Sequence, residues 1–96
     1  MQRDDVLEKL RSYRLSLKEF NVKSLILFGS VARNEATPES DVDLLVEFEH
    51  PIGLLAFVRL QRHLETILGC SVDLGTPNSL KSYLKEPVLQ ESIRVF

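Results

Sequence analysis

The sequence predicts an α/β (α+β) domain in which a small mixed sheet of three to four strands is flanked by helices. Three observations carry this expectation. Apolar residues recur at helical spacing in two long segments, 4–20 and 54–68. Short apolar runs rich in branched residues, at 22–28, 41–48 and 71–74, read as strands. Glycine, proline or asparagine stands at the boundaries between them. Helical and extended segments therefore alternate, and each needs the other to bury its apolar side.

In the first helix Val6, Leu10, Tyr13, Leu17 and Phe20 lie four or three residues apart, which places them on one face and makes them core candidates. Asp4 is the expected cap and Asn21 the expected stop. Residues 22–28 form a buried strand that Gly29-Ser30 breaks. A short helix follows at 30–34, then a loop at 35–40 stopped by Pro38. The strand over 41–48 is apolar at its centre apart from Asp43, and Pro51-Ile52-Gly53 turns the chain. The helix over 54–68 is expected to bury Leu54, Phe57, Val58, Leu64, Ile67 and Leu68, with Gly69 as its C-terminal cap. A third strand, 71–74, closes at Gly75-Thr76-Pro77. Asn78 then caps a final helical region, which is interrupted at Pro87 and resumes through Val88, Leu89 and Ile93.

The 96 residues suit one compact domain spanning 1–96, and 44% hydrophobic with 27% charged residues is an ordinary globular balance. No apolar run approaches the roughly 20 residues that cross a bilayer. The start, Met1-Gln2-Arg3-Asp4-Asp5, lacks the apolar stretch of a secretory signal. A single cysteine, Cys70, excludes an internal disulfide framework and leaves too few thiolates for a zinc site. A cytoplasmic location is expected. The net charge of −2, from 12 basic and 14 acidic residues, provides no excess for gripping a nucleic-acid backbone, so nucleic acid is not expected as a direct ligand. Local charge is more informative. Residues 34–58 contain no Lys or Arg, yet hold Glu35, Glu39, Asp41, Asp43, Glu47 and Glu49. Such a stretch either is a solvated acidic face or repels phosphate until a cation intervenes.

Asp41 and Asp43 are two apart in a strand, so their carboxylates project from the same face. Two like charges at the mouth of a buried strand are unfavourable without compensation. Mg²⁺ provides it: a hard ion that favours carboxylate oxygens and completes its shell with water and substrate phosphates. Asp73, between Val72 and Leu74, repeats the pattern. If its strand neighbours the first, about 4.8 Å away, all three carboxylates converge. Asp73 then completes a second metal site or accepts a proton from an attacking hydroxyl. The competing reading is a strand-end residue that bonds the following turn. Gly29-Ser30 follows a strand and opens a short helix, where backbone N–H groups and the Ser30 hydroxyl can hold a phosphate.

The run Leu27-Phe28-Gly29-Ser30-Val31-Ala32-Arg33, followed by Ser40-Asp41-Val42-Asp43-Leu44-Leu45-Val46, resembles the signature of the DNA polymerase β-like nucleotidyltransferase superfamily. The resemblance is strongest to its minimal (MNT) branch, the small proteins similar to the antitoxins of HEPN–MNT toxin–antitoxin pairs, and it covers nearly the whole chain. It implies the polymerase β-like nucleotidyltransferase fold, with ATP as co-substrate and Mg²⁺ as cofactor. It also implies that Gly29 and Ser30 contact the triphosphate, that Asp41 and Asp43 ligate Mg²⁺, and that Asp73 is the third carboxylate, shared between metal and catalysis. The activity implied is transfer of AMP to a tyrosine of a partner HEPN ribonuclease toxin, which silences it. One departure stands out: Asn34 replaces the glycine common after the Ala-Arg pair. Asparagine tolerates a left-handed backbone well, so the match is little weakened.

Arg33 joins the nucleotide-binding candidates as a cation that can neutralise phosphate, although anchoring the loop through Glu35 or Glu39 is the favoured role. Ser40 shapes the turn into the strand. His50 and His63 read as surface or helix-face residues without a convincing partner, and Cys70 as a small buried residue rather than a nucleophile. Tyr13 and Tyr83 are conceivable self-modification acceptors, with Tyr13 reading as core. Arg3, Lys9, Arg11, Arg14 and Lys18 give the first helix a basic side, solvated or facing an acidic partner. Two other functions compete with protein nucleotidylation. One is an antitoxin that neutralises its partner by binding alone. The other is a catalytic subunit acting on a small molecule or an RNA end.

Overall fold

Four strands, Val22–Phe28 (β1), Val42–Phe48 (β2), Val72–Gly75 (β3) and Ile93–Arg94 (β4), form one mixed sheet in the order β3-β2-β1-β4. The computed structural model describes residues 2–96, with every side chain except those of 82–84. β1 runs antiparallel to both β2 and β4, whereas β2 and β3 are parallel. The parallel pair is joined through the helix Leu54–Leu68, as a parallel connection requires. The other helices are Arg3–Ser12 (α1), Arg14–Lys18 (α2), Gly29–Ala32 (α3) and Ser82–Glu91 (α5), which makes Leu54–Leu68 α4. A 3-10 turn, Pro77–Ser79, links β3 to α5.

Alternation along β2 divides its side chains between the two faces of the sheet. Val42, Leu44 and Val46 join the main core, with Val6 and Leu10 of α1, Leu17 of α2 and Leu60, Leu64, Ile67 and Leu68 of α4. Asp43 and Leu45 occupy the opposite face. Gly69 ends α4 in the left-handed conformation (φ +70°), its N–H bonded to the Glu65 carbonyl at 2.7 Å. Among the described residues no helix is long and apolar enough to cross a membrane. Leu60 is fully buried at the centre of α4. Leu60→Ala is expected to destabilise the fold by about 3 kcal/mol, read as a fall in the denaturant midpoint at constant slope.

Several sequence expectations are corrected. The first helix is two helices, because the chain breaks at Tyr13 (φ −101°, ψ 16°). The break rotates the apolar stripe, and Tyr13 is 42% exposed instead of lying in the core. Asp4 does not cap α1. Gln2 is the capping position, and Asp4 and Asp5 lie in the first turn, where carboxylates favour the helix dipole. Leu54 is 78% exposed, since the sheet-facing stripe of α4 starts one turn later, and it includes Leu60, which the expected list lacked. Thr76 rather than Asn78 begins the 3-10 turn. Ser79 Oγ closes it, accepting the Thr76 N–H at 3.2 Å and donating to the Thr76 carbonyl at 2.7 Å. Pro87 does not interrupt α5, which runs through it at the loss of one intrahelical hydrogen bond. Ile93 belongs to β4, opposite Leu27, not to a helix. Tyr83, weighed as an acceptor, has its side chain outside the described residues.

Candidate active site

The parallel register places Asp43 directly opposite Asp73 on neighbouring strands, and the antiparallel register places Asp43 opposite Phe28, the last residue of β1. Asp41 precedes β2 and is exposed. The three aspartates thus gather where β1 ends and β2 and β3 begin. Asp43 feels the crowding most. Its carboxyl is pushed up to about 6, chiefly by burial, then by the negative charges of Asp73 and Asp41. The positive charge of Arg33 offsets part of this, and a hydrogen bond with Asp73 adds to the rise. A half-buried carboxylate beside two other carboxylates is a site short of positive charge.

Among the described residues no three His, Cys, Asp or Glu side chains form a ready-made metal cage. Mg²⁺ needs none, because it takes one or two carboxylates and fills its shell with water and phosphate oxygens. The Asp41, Asp43 and Asp73 oxygens are hard donors of the right kind, and the raised Asp43 carboxyl shows a charge deficit that a divalent cation would remove. These residues fit the ion.

The turn after β1 is built around this carboxylate. Gly29 has φ +76°, a conformation that costs residues with a β-carbon. A β-carbon placed on Gly29 would lie 2.9 Å from Asp43 Cγ and 3.2 Å from Asp43 Cβ. Glycine is therefore needed here to admit the Asp43 carboxylate, a reason the sequence did not reveal. Asn34 adopts φ +60°, the left-handed conformation that asparagine tolerates better than other residues with a β-carbon. The loop returning to β2 is pinned by Ser40, whose Oγ accepts the Thr37 N–H at 2.9 Å, the turn-shaping role expected of it.

Arg33 is committed to ion pairs within the chain. Nε donates to Glu35 at 3.3 Å and Nη1 to Glu91 at 2.8 Å, and these contacts raise its pKa further. The loop-anchoring role is the one these contacts support. Three residues were missed by sequence reasoning. Glu91 also accepts the Gly29 N–H at 3.2 Å. Gln61 Nε2 donates to the Val72 carbonyl at 2.9 Å, and Glu65 Oε2 accepts the Val72 N–H at 3.1 Å. This pair closes the outer edge of β3 beside Asp73. Its signal was readable: two polar residues four apart amid the buried side of α4.

The residues set aside have structural partners. His63 stacks on Phe20 with ring centroids 4.9 Å apart, and its Nε2 lies 2.8 Å from Ser16 Oγ, tying α4 to α2. His50 is exposed, and its Nδ1 lies 3.2 Å from the Pro51 carbonyl oxygen. Cys70, expected to be buried, is half-buried against the core, and burial raises its thiol pKa. Two surface clefts, of about 360 and 240 Å³, lie along α1 (Asp5, Glu8, Lys9, Ser12) and beside the end of β2 (Val46, Phe48, Thr76, Asn78). Neither is lined by Asp41, Asp43 or Asp73, of which Asp41 and Asp73 are exposed.

Residues 7–95 match the nucleotidyltransferase domain family. The chain is 41% identical over 93 residues to the protein adenylyltransferase MntA of Thermococcus cleftensis, with 96% of this chain and 94% of that protein covered. It superposes with a TM-score of 0.80 on a structure assigned as a minimal nucleotidyltransferase, at 41% identity over 97% of this chain and 95% of the other. It also resembles a chain of the complex between a tri-AMPylated Shewanella oneidensis HEPN toxin and its MNT antitoxin, with a TM-score of 0.68. That match covers 99% of this chain and 72% of the other, and at 20% identity it is a likeness of fold.

Proposed function

Because the chain belongs to the nucleotidyltransferase domain family, we propose that it transfers AMP from ATP to a tyrosine hydroxyl of a HEPN-type partner toxin and so acts as its antitoxin. The observation that carries this reading is the pairing of Asp43 with Asp73 on adjacent strands, with the Asp43 carboxylate lying over the Gly29-Ser30 turn. Ser30 offers a hydroxyl and a backbone N–H to the phosphates. Asp41 and Asp43 would hold Mg²⁺, with Asp73 beside them. The bound ion supplies neutralisation of the triphosphate and of the charge that develops as the leaving group departs. The tyrosine oxygen attacks the α-phosphorus, the bond to the β-phosphate oxygen breaks, and pyrophosphate leaves. The phenolic proton passes to Asp73, which is exposed beside Asp43 on the neighbouring strand. The exposure of Asp41 and Asp73 suits an acceptor brought in by another protein.

Intact mass measurement of the partner toxin after incubation with this chain, Mg²⁺ and ATP tests the reading. Additions of whole AMP units are expected, and omission of Mg²⁺ is expected to prevent them. A toxin that is inhibited without ATP and never gains mass would replace the enzyme by a binding antitoxin.

A further inference from the structure

One carboxylate outside the aspartate cluster touches the nucleotide turn at two points. Glu91 is the last residue of α5, 62 positions from Gly29. Its Oε1 accepts the Gly29 N–H at 3.2 Å, and its Oε2 accepts from Arg33 Nη1 at 2.8 Å. Gly29 opens α3 and Arg33 closes it, so a single side chain grips both ends of the segment. The Gly29 N–H has no partner within its own helix, and a charged acceptor holds it more firmly than water does.

We infer that Glu91 is a positioning residue for the nucleotide-binding turn, holding Gly29 and Arg33 in place so that Ser30 is the residue left to meet the phosphates. This rests on the nucleotide site proposed above and narrows it: the Gly29 N–H and the Arg33 guanidinium are occupied from within the chain. Displacement of Glu91 by a triphosphate would leave the freed carboxylate beside a polyanion, a repulsion that opposes the exchange and keeps Glu91 in place when nucleotide binds.

Calorimetric titration of the whole chain, with no acceptor protein present, with Mg²⁺ and α,β-methylene-ATP, an analogue whose α–β bridge cannot be cleaved, tests this. Glu91→Ala is expected to weaken binding about tenfold, because it releases a charge-assisted hydrogen bond and an ion pair that pre-organise the turn. Glu91→Gln retains an amide oxygen for the Gly29 N–H and is expected to weaken binding only about threefold. It also carries the test if the alanine variant folds poorly. In turnover the loss should appear as a raised KM for ATP with kcat within about twofold, since the three aspartates are untouched. A merely structural role would lower the melting temperature and leave this split and the glutamine rescue unseen. Unchanged or tighter binding in Glu91→Ala would overturn the inference, the tighter case marking Glu91 as a competitor of phosphate. Failure of the unaltered chain to bind the analogue would overturn the nucleotide site itself, and this inference with it.

Discussion

Asp43→Asn is expected to reduce nucleotidyl transfer by at least about a thousandfold while raising the thermal stability of the metal-free protein. Both effects come from one carboxylate. Asp43 stands opposite Asp73 with Asp41 two residues away, half-buried and short of positive charge. The asparagine amide has nearly the same shape, carries no charge and ligates Mg²⁺ poorly. It removes the repulsion from Asp73 and Asp41 in a single step. Partial exposure screens that repulsion, so the gain is modest, a rise of about 4 °C for a chain of this size. Residues that destabilise the empty fold yet are required for activity mark a functional site. A variant keeping more than about a tenth of the transfer rate would remove Asp43 from the metal mechanism.

The same group sets a pH dependence whose sign can be worked out. Asp43 has a folded pKa of about 6 against an ordinary value of 3.8. Between those limits the native state binds more protons than the unfolded state, so stability falls as pH rises. The loss begins near the lower value and is complete above the upper one. Melting of the unaltered protein in a chelator from pH 4 to 7 should show this component, and Asp43→Asn should lack it. Added Mg²⁺ should shrink it near pH 7, because the ion stabilises the charged form. If the two proteins respond identically to pH across that window, Asp43 is not under strain.

The strands were legible because their evidence is local. Residues 22–28 and 42–48 are apolar, branched and bounded by Gly29 or Pro51, and the structure moves their limits by at most one residue. The convergence of Asp43 with Asp73 was conditional on the two strands being neighbours, and the parallel register meets that condition. What the sequence did not disclose depends on contacts between distant positions. Helical spacing placed Tyr13 on the core face, but spacing holds only while the helix continues, and the backbone turns at Tyr13 itself. Leu54 has the right periodicity, yet the sheet does not reach the first turn of α4. Ile93 was assigned to a helix because no local feature reports its pairing with Leu27, 66 residues earlier. Glu91 was invisible for the same reason: nothing near it in the chain marks a carboxylate destined for the Gly29 N–H.

Gly29→Ala is expected to damage fold and activity together, costing about 2 kcal/mol or more of stability and at least about a hundredfold in transfer. The left-handed backbone at Gly29 alone penalises alanine by about 1 kcal/mol. The larger problem is space, since the new methyl would meet the Asp43 carboxylate and come within 3.2 Å of Asp43 Cβ. A carboxylate can rotate, but a β-carbon moves only with its backbone, and that backbone is paired with Phe28 on one side and Asp73 on the other. Relief requires the end of β1 to draw away from β2, or Asp43 to turn out of the site. Either response separates the turn from the aspartates. Combining Gly29→Ala with Asp43→Gly, which empties the contested space, should restore much of the stability and none of the activity. If Gly29→Ala alone melted and worked like the unaltered protein, the turn would be free to move, and the close packing of Asp43 on Gly29 would not be what sets the site's geometry.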